Sequence, residues 1–433
     1  MVAIRRIRLD LLSDADRRSL TQRSAIPDPD LFAAASAIVA GVARDGDAAL
    51  DRYAEQFGGG REGAGTLVPP SAIEAALSSL SQEVRKALEV SIAHVTAVHR
   101  RQVPANDSVT PIAGVTVERM WSPLASVGVY VPGGRARYPS SMIMGVVPAR
   151  LAGVDRVVVA TPASPEGTVH PVVLGTAALL GIEEIHAMGG AQAVAALAFG
   201  TERIPAVDKI VGPGGPWVTA AKLAVLGRCG IDLPAGPSEA AIVADTTADV
   251  AVVAADLMCQ AEHGDESAVA LIVEDDAFAD RVLAEVERVL PRLERSHTIG
   301  RALSNHGMIV VAGSIARGLA FANEWAPEHL SIHTADARSD AAEVPNAGSV
   351  FVGHWTPEAA GDYATGANHI LPTGGMARAY GPLGVEDFGS WRQVQELDAS
   401  GLLSLSRTIT TLAEAEGLTA HAYSVAIRME ASR

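Results

Sequence analysis

Apolar positions along this chain change rhythm from helical to strand-like and back. Leu31–Phe57 and Ser71–Arg101 have helical spacing; the first stops at Gly58-Gly59-Gly60 and the second begins after Pro70. From Ser126 onward, short β-branched runs take over. Ser126–Val131, Arg156–Ala160, Glu184–Met188 and Lys209–Val211 predict strands, with helices near Ser140–Ala152, Pro171–Leu180, Ala191–Phe199 and Trp217–Leu226. Ala240–Ala244, Ala268–Val273, Met308–Val311, His329–His333 and Ser349–Val352 continue the series, and a helix is expected from about Thr247 to His263. Strands alternating with helices at this spacing predict parallel sheets covered on both faces. The expected organisation has four parts: an arm at 1–28, one α/β unit from 29–125 with 240–380, a second at 126–239, and a tail at 381–433. The tail is expected to be helical near Leu403–Glu416, and no sequence repeat is evident.

Composition narrows the class. Of 433 residues 48% are hydrophobic and 19% charged, which describes a packed globular chain and not a disordered one. Aromatics are only 4%, so the core must rely on close contacts between small side chains. A net charge of −16 argues against nucleic-acid binding, which needs clustered Lys and Arg. Two cysteines, Cys229 and Cys259, cannot form a disulfide framework and suit a reducing compartment. The first residues mix charge into apolar positions and lack a signal-peptide core, and the apolar stretch Ala240–Met258 is broken by Asp245, Asp249 and Asp256. A cytoplasmic protein with no membrane partner is expected.

Candidate chemistry gathers in the second half, where eight of the twelve histidines lie from His263 onward. The stretch Ile231–His263 opens with a Gly/Pro turn and Ser238 and ends on Cys259, Gln260 and His263. Spacings of three and four put either Cys259 or Gln260 beside His263 on a helix. Zinc favours four ligands from Cys, His and carboxylates, and His263, Asp362 and His421 with one of those two residues would supply them. Glu328-His329 is an adjacent acid–base pair at the start of a predicted strand, suited to taking a hydroxyl proton and activating water. The turns Val131–Gly134, Met188–Gly190 and Gly212–Gly215 each join a strand to a helix and could cradle phosphate, although none is a G-x-G-x-x-G fingerprint.

Several motifs together resemble the histidinol dehydrogenase family. They are YVPGG at 130–134, YPSS at 138–141, GGAQAVAALAFG at 189–200, AGPSE at 235–239 and DLMCQAEH at 256–263. APEHL at 326–330, PEAAGDY with NHILPT across 357–373, and LTAH at 418–421 complete the set. The resemblance spans nearly the whole chain. It implies two Rossmann-like units of the aldehyde-dehydrogenase-like kind, with the nucleotide held by the 126–239 unit. It also implies one zinc per subunit and NAD as cofactor, with L-histidinol oxidised through bound L-histidinal to L-histidine.

By the same resemblance the zinc ligands fall on Gln260, His263, Asp362 and His421, His329 is the base, and Glu328 activates water. Ser238, Glu358, His369 and Glu416 match substrate-pocket positions alongside the zinc ligands and His329, and Tyr130 and Gln192 match NAD contacts. A homodimer is implied in which Glu416 and His421 complete the neighbour's site. The chain departs from the family at Gly215, where Gly-Pro-Gly-Asn is usual and the Asn touches NAD. Arg135 and Arg137 would set two positive charges beside the nucleotide cleft, a feature that suits an extra phosphate. A relative acting on another polar alcohol, such as a sulfonated diol, would keep most of these features. A zinc hydrolase would use the same zinc and Glu-His pair.

Overall fold

A computed structural model of the protein describes residues 4–58, 65–133, 137–164 and 166–431. Gly59, Gly60, Gly134 and Arg135, singled out above, lie outside the described residues. In chain order the strands are β1 (Arg5–Arg8), β2 (Asp107–Ile112), β3 (Val115–Pro123), β4 (Ser126–Tyr130), β5 (Arg156–Thr161), β6 (Ile185–Ala187) and β7 (Lys209–Val211). They continue with β8 (Gly230–Ile231), β9 (Glu239–Ala244), β10 (Ala268–Val273), β11 (Gly307–Val311), β12 (His329–His333), β13 (Ser349–Val352) and β14 (Gly389–Leu397).

Two parallel sheets carry the molecule. The first has the order β6-β5-β4-β7-β8 and the second β1-β11-β10-β9-β12-β13. Leaving out the edge strand β1, both follow one winding: the first strand lies centrally, the second and third to one side, the fourth and fifth to the other. The winding thus repeats where the sequence shows no repeat.

Each sheet is buried on both faces, and the side-chain alternation shows how. Val127, Val129, Val157 and Val159 enter one core and Tyr130, Val158 and Ala160 the opposite one. In the second sheet Ile242, Leu271 and Ile309 face one way, and Ala241, Val243, Ala270 and Ile272 the other. Continuous apolar runs such as Ala268–Val273 are what such doubly covered strands require.

The early helices pack differently from the expectation. Pro29–Phe57 lies on the helices Gly190–Phe199 and Pro216–Val225, and Pro70–Ser79 and Gln82–His99 lie on Pro171–Leu179 and Pro139–Ala152. Grouping 29–125 with 240–380 is therefore corrected: these helices cover the five-stranded sheet. Their apolar faces, with Ala35, Val42 and Leu50 on one side and Ile73, Leu88 and Val95 on the other, match its two outer layers. The long helix at 29–57 is kinked at Gly46 (φ +53°).

Ser71–Arg101 is likewise two helices and not one, broken at Leu80, where the side chain of Ser81 accepts the N–H of Val84 and caps the second. The arm is not free, since β1 adds to the second sheet beside β11. Nor does the tail begin as an appendage, because β14 pairs antiparallel with β3, which pairs with β2. The helices Ala399–Ala415 and Thr419–Ala431 follow it. No helix among the described residues is long and apolar enough to cross a membrane.

Candidate active site

A cavity of about 490 Å3 opens between the two sheets. The five-stranded sheet meets it with the carboxyl ends of β4 and β7, through Gly133 and the turn Gly212–Pro216. Chain winding reverses between these two strands, which is where open α/β sheets bind ligands. The six-stranded sheet meets the cavity with the opposite edge: Ser238 precedes β9, Glu328 precedes β12, and His329 begins it.

On the first side the walls are mostly backbone. Helices Pro139–Ala152 and Pro216–Val225 start at the cavity, and neither has a side-chain cap. Each begins with Pro, whose fixed φ suits a first turn, and their open N–H groups favour an anion. The turn between β7 and its helix is braced from behind. Gly212 N–H donates to Asp232 Oδ2 (2.7 Å), Lys222 Nζ donates to the Gly212 carbonyl (3.0 Å), and Lys222 pairs with Asp232. Gly212 has φ +114°, and a Cβ there would strike the Tyr130 carbonyl, so only glycine suits this close approach. Gly215, by contrast, has open space around a Cβ.

On the second side the walls are side chains with little solvent. In the register of β9 and β12, His329 lies beside Ala240, which brings Glu328 next to Glu239. Glu328 Oε2 accepts from Ser238 Oγ (2.8 Å) and from the Glu239 N–H (2.9 Å). Burial holds the Glu328 carboxyl well above the usual range. His329 Nδ1 lies 3.3 Å from the Glu239 carbonyl. A carbonyl only accepts, so Nδ1 carries the hydrogen and Nε2, buried without a protein partner, is the free acceptor. Burial and the neighbouring His263 push the His329 imidazole down to about 3, so it is neutral at physiological pH. His329 also stacks on Phe351, with ring centroids 5.9 Å apart.

The residues expected to bind metal come together in part. His263, Glu358 and Asp362 offer ligand atoms all within 4.8 Å of one another, so Glu358, matched above to the substrate pocket, also stands in ligand range. His263 Nε2 is 3.8 Å from Glu358 Oε1, an oxygen buried without a hydrogen-bond partner. Gln260 is wholly buried, and neither of its amide atoms has a partner. Such orphaned groups are costly unless something else satisfies them. A nitrogen–oxygen set of this kind fits a divalent cation such as zinc. Burial pushes Asp362 up to about 6 and His369 down to about 4, and His369 Nδ1 donates to the Asp362 carbonyl (3.1 Å).

Other expected residues stand apart. Tyr130 and Gln192 are buried outside the cavity wall, and the Tyr130 hydroxyl accepts the Gly190 N–H (3.1 Å). The turn at 188–190 does not line the cavity, and Arg137 is exposed. Glu416 and His421 are exposed on the tail and do not reach this cavity within one chain.

Sequence reasoning missed a brace behind the acid–base pair. Arg23, from the arm, pairs with Glu239 and donates to the Trp325 and Ala326 carbonyls, stacking over the Trp325 ring at 3.7 Å. Ala326 is the one described non-glycine residue at positive φ (+50°), just before Pro327-Glu328-His329. Glu239 Oε1 also accepts the Gly374 N–H (3.1 Å), and Thr373 Oγ1 accepts the Gly236 N–H (2.5 Å). Glu239 and Thr373 lie inside the family motifs AGPSE and NHILPT, but Arg23 carries no signal beyond a lone positive charge.

The chain matches the family model described as histidinol dehydrogenase over residues 21–429. A histidinol dehydrogenase of Haloarcula marismortui is 47% identical over 394 residues, covering 91% of this chain and 92% of that one. One from Rhizobium meliloti is 43% identical over 428 residues, with 98% of each chain covered. The crystal structure of histidinol dehydrogenase from Elizabethkingia anophelis aligns with a TM-score of 0.92 at 35% identity, covering 99% of this chain and 98% of that one.

Proposed function

The chain belongs to the histidinol dehydrogenase family, a family of oxidoreductases, and from that premise we propose how its cleft oxidises L-histidinol to L-histidine. The alcohol is oxidised twice, through bound L-histidinal, without leaving the cleft. Gln260, His263 and Asp362 hold a zinc ion, with His421 of a second copy as fourth ligand. The orphaned amide of Gln260 supports its place in the set. Burial and the nearby Glu358 and Asp362 hold the Cys259 thiol above its ordinary range, which disfavours a thiolate there. When bound, zinc acts as a Lewis acid on the substrate's hydroxyl, and NAD accepts hydride in each oxidation.

The chain's own residues handle protons and position. His329 Nε2 removes the hydroxyl proton; the Nδ1–H contact with the Glu239 carbonyl holds the ring in that tautomer. Glu328 then takes a proton from water as the water adds to the aldehyde, a role suited to a buried carboxyl with a raised pKa. His329 returns its first proton to the aldehyde oxygen as the hydrate forms, and is then free to receive the second as the hydrated aldehyde is oxidised. Ser238 orients Glu328 and lies toward the substrate, while His369, Glu358 and Glu416 of the second copy face its imidazole and amino ends. The uncapped helix starts across the cavity would hold the pyrophosphate of NAD, with Gly215 at one of them and Tyr130 and Gln192 shaping the cleft behind.

We read the assembly as a homodimer. Exposed Leu403, Leu412, Tyr423 and Ile427 on the tail supply apolar surface to bury, next to Glu416 and His421. A cytoplasmic location suits the two free cysteines.

One observation carries this reading: an orphaned His329 Nε2 in the same cavity as the His263 and Asp362 cluster, facing two uncapped helix starts. The test is cofactor reduction with L-histidinol, with a sulfonated diol and with other alcohols, each with NAD and with NADP. The expected result is turnover with L-histidinol and NAD. Turnover only with another alcohol would overturn the substrate, and a strong NADP preference would overturn the cofactor.

A further inference from the structure

The buried pair His333–Asp256 takes no part in the chemistry above. His333 Nε2 lies 2.8 Å from Asp256 Oδ2, and both side chains are almost wholly buried. Their positions are regular. His333 stands four residues after His329 on β12, and strand alternation puts both on one face, while Leu330 and Ile332 enter the core on the other. Asp256 stands one helical turn before Gln260 on the helix Val250–Ala261. That helix links β9 to its parallel neighbour β10 and so runs back along the sheet, against the direction of β12. Helix and strand therefore meet at one directional contact, Asp256 with His333, and both lead from it toward the cavity, the helix to Gln260 and the strand back to His329.

The other core contacts of this helix come from Val253, Ala254, Leu257, Met258 and Ala261. Apolar contact is non-directional; it sets the distance of a helix from a sheet far better than its position along the axis. A buried hydrogen-bonded pair does fix that position, and fixing register is the best-attested use of such pairs, which often add less stability than apolar side chains of the same volume.

We propose that the Asp256–His333 hydrogen bond is a register lock, setting the helix that carries Gln260 and leads into His263 against the strand that begins at His329, directly after Glu328. Both are positioning residues for the metal site, and the proposal rests on the reading that Gln260 and His263 hold the metal. A ligand must be placed to about 0.5 Å, whereas one residue of axial slip moves it about 1.5 Å.

The experiment measures zinc affinity of the metal-free protein by competition with a chromophoric chelator, with the thermal midpoint taken on the same samples. The variants are Asp256→Leu with His333→Leu, His333→Gln, and Gln260→Ala. The double leucine variant should keep its thermal midpoint while zinc affinity falls about tenfold or more. His333→Gln, whose amide can still donate to Asp256, should keep most of the affinity. A double variant that folds and binds zinc like the parent overturns the lock. Should that variant not fold, Asp256→Ala removes one partner of the bond and reads the same quantity, unchanged affinity again overturning the lock. Gln260→Ala separates the two claims: if it binds zinc as tightly as the parent, the metal reading itself fails.

Discussion

The two sheets wind alike but offer the cavity opposite edges, and the two edges are built from different material. The five-stranded sheet presents the carboxyl ends of β4 and β7, glycine turns and helix starts. The six-stranded sheet presents the amino ends of β9 and β12 with buried carboxyls, imidazoles and an amide, several of them orphaned. Backbone N–H groups recognise an anion whatever the side chains are, so the first edge suits a shared cofactor. Proton transfer and metal binding need particular side chains at particular depths, which the second edge supplies. In this reading specificity and chemistry reside on one side of the cleft and cofactor affinity on the other.

The division predicts graded effects. His329→Asn, which removes the acceptor nitrogen, should lower turnover in both oxidations by roughly 10²–10⁴-fold with little change in nucleotide binding. Single-turnover measurements with histidinol and with histidinal would check it, and loss of only one half-reaction would break the assignment. Glu328→Gln should slow the aldehyde step by about 10²-fold while sparing alcohol oxidation. Equal loss in both steps would remove the water-activating role. Gln260→Ala should weaken zinc binding about tenfold or more, whereas Cys259→Ser should leave it unchanged, as chelator competition would show. The smallest effect is expected across the cleft. Gly215→Asn has open space for its side chain and φ −68°, so it should tighten NAD binding by about 1 kcal/mol, read as a lower dissociation constant by calorimetry. A change in turnover with unchanged nucleotide affinity would blur the division.

The same contrast governs how much the sequence reveals. The strands Lys209–Val211, Ala268–Val273, His329–His333 and Ser349–Val352 match expectation residue for residue, because short apolar runs between turn residues have one natural reading. The β1 strand is RRIR, mostly charged at an exposed edge, and β14 is largely exposed, so neither carries the apolar pattern that marks a strand. Pairing between β14 and β3 joins residues more than 260 apart in sequence, for instance Trp391 with Trp121. The early helices were legible as helices, but nothing in their period says which sheet they cover. In the site, Glu328-His329 was visible as a dipeptide and Gln260-His263 as a helical pair. Spacing alone left Cys259 equal to Gln260, and it could not join Asp362 to His263 across about a hundred residues; the family motifs did. Glu239 and Arg23 act through backbone contacts behind the pair, and the Asp256–His333 bond depends on helix and strand lying side by side. Such roles exist only in three dimensions.

Both oxidations should take place in one pocket, and the most direct measurement of this is stoichiometry. Histidinol consumed, histidine formed and cofactor reduced should be counted together in the zinc-loaded protein, with an aldehyde-trapping reagent present. Two reduced cofactors per histidine, with no trapped aldehyde, is the predicted result. One reduced cofactor per histidinol with histidinal captured in solution would contradict it.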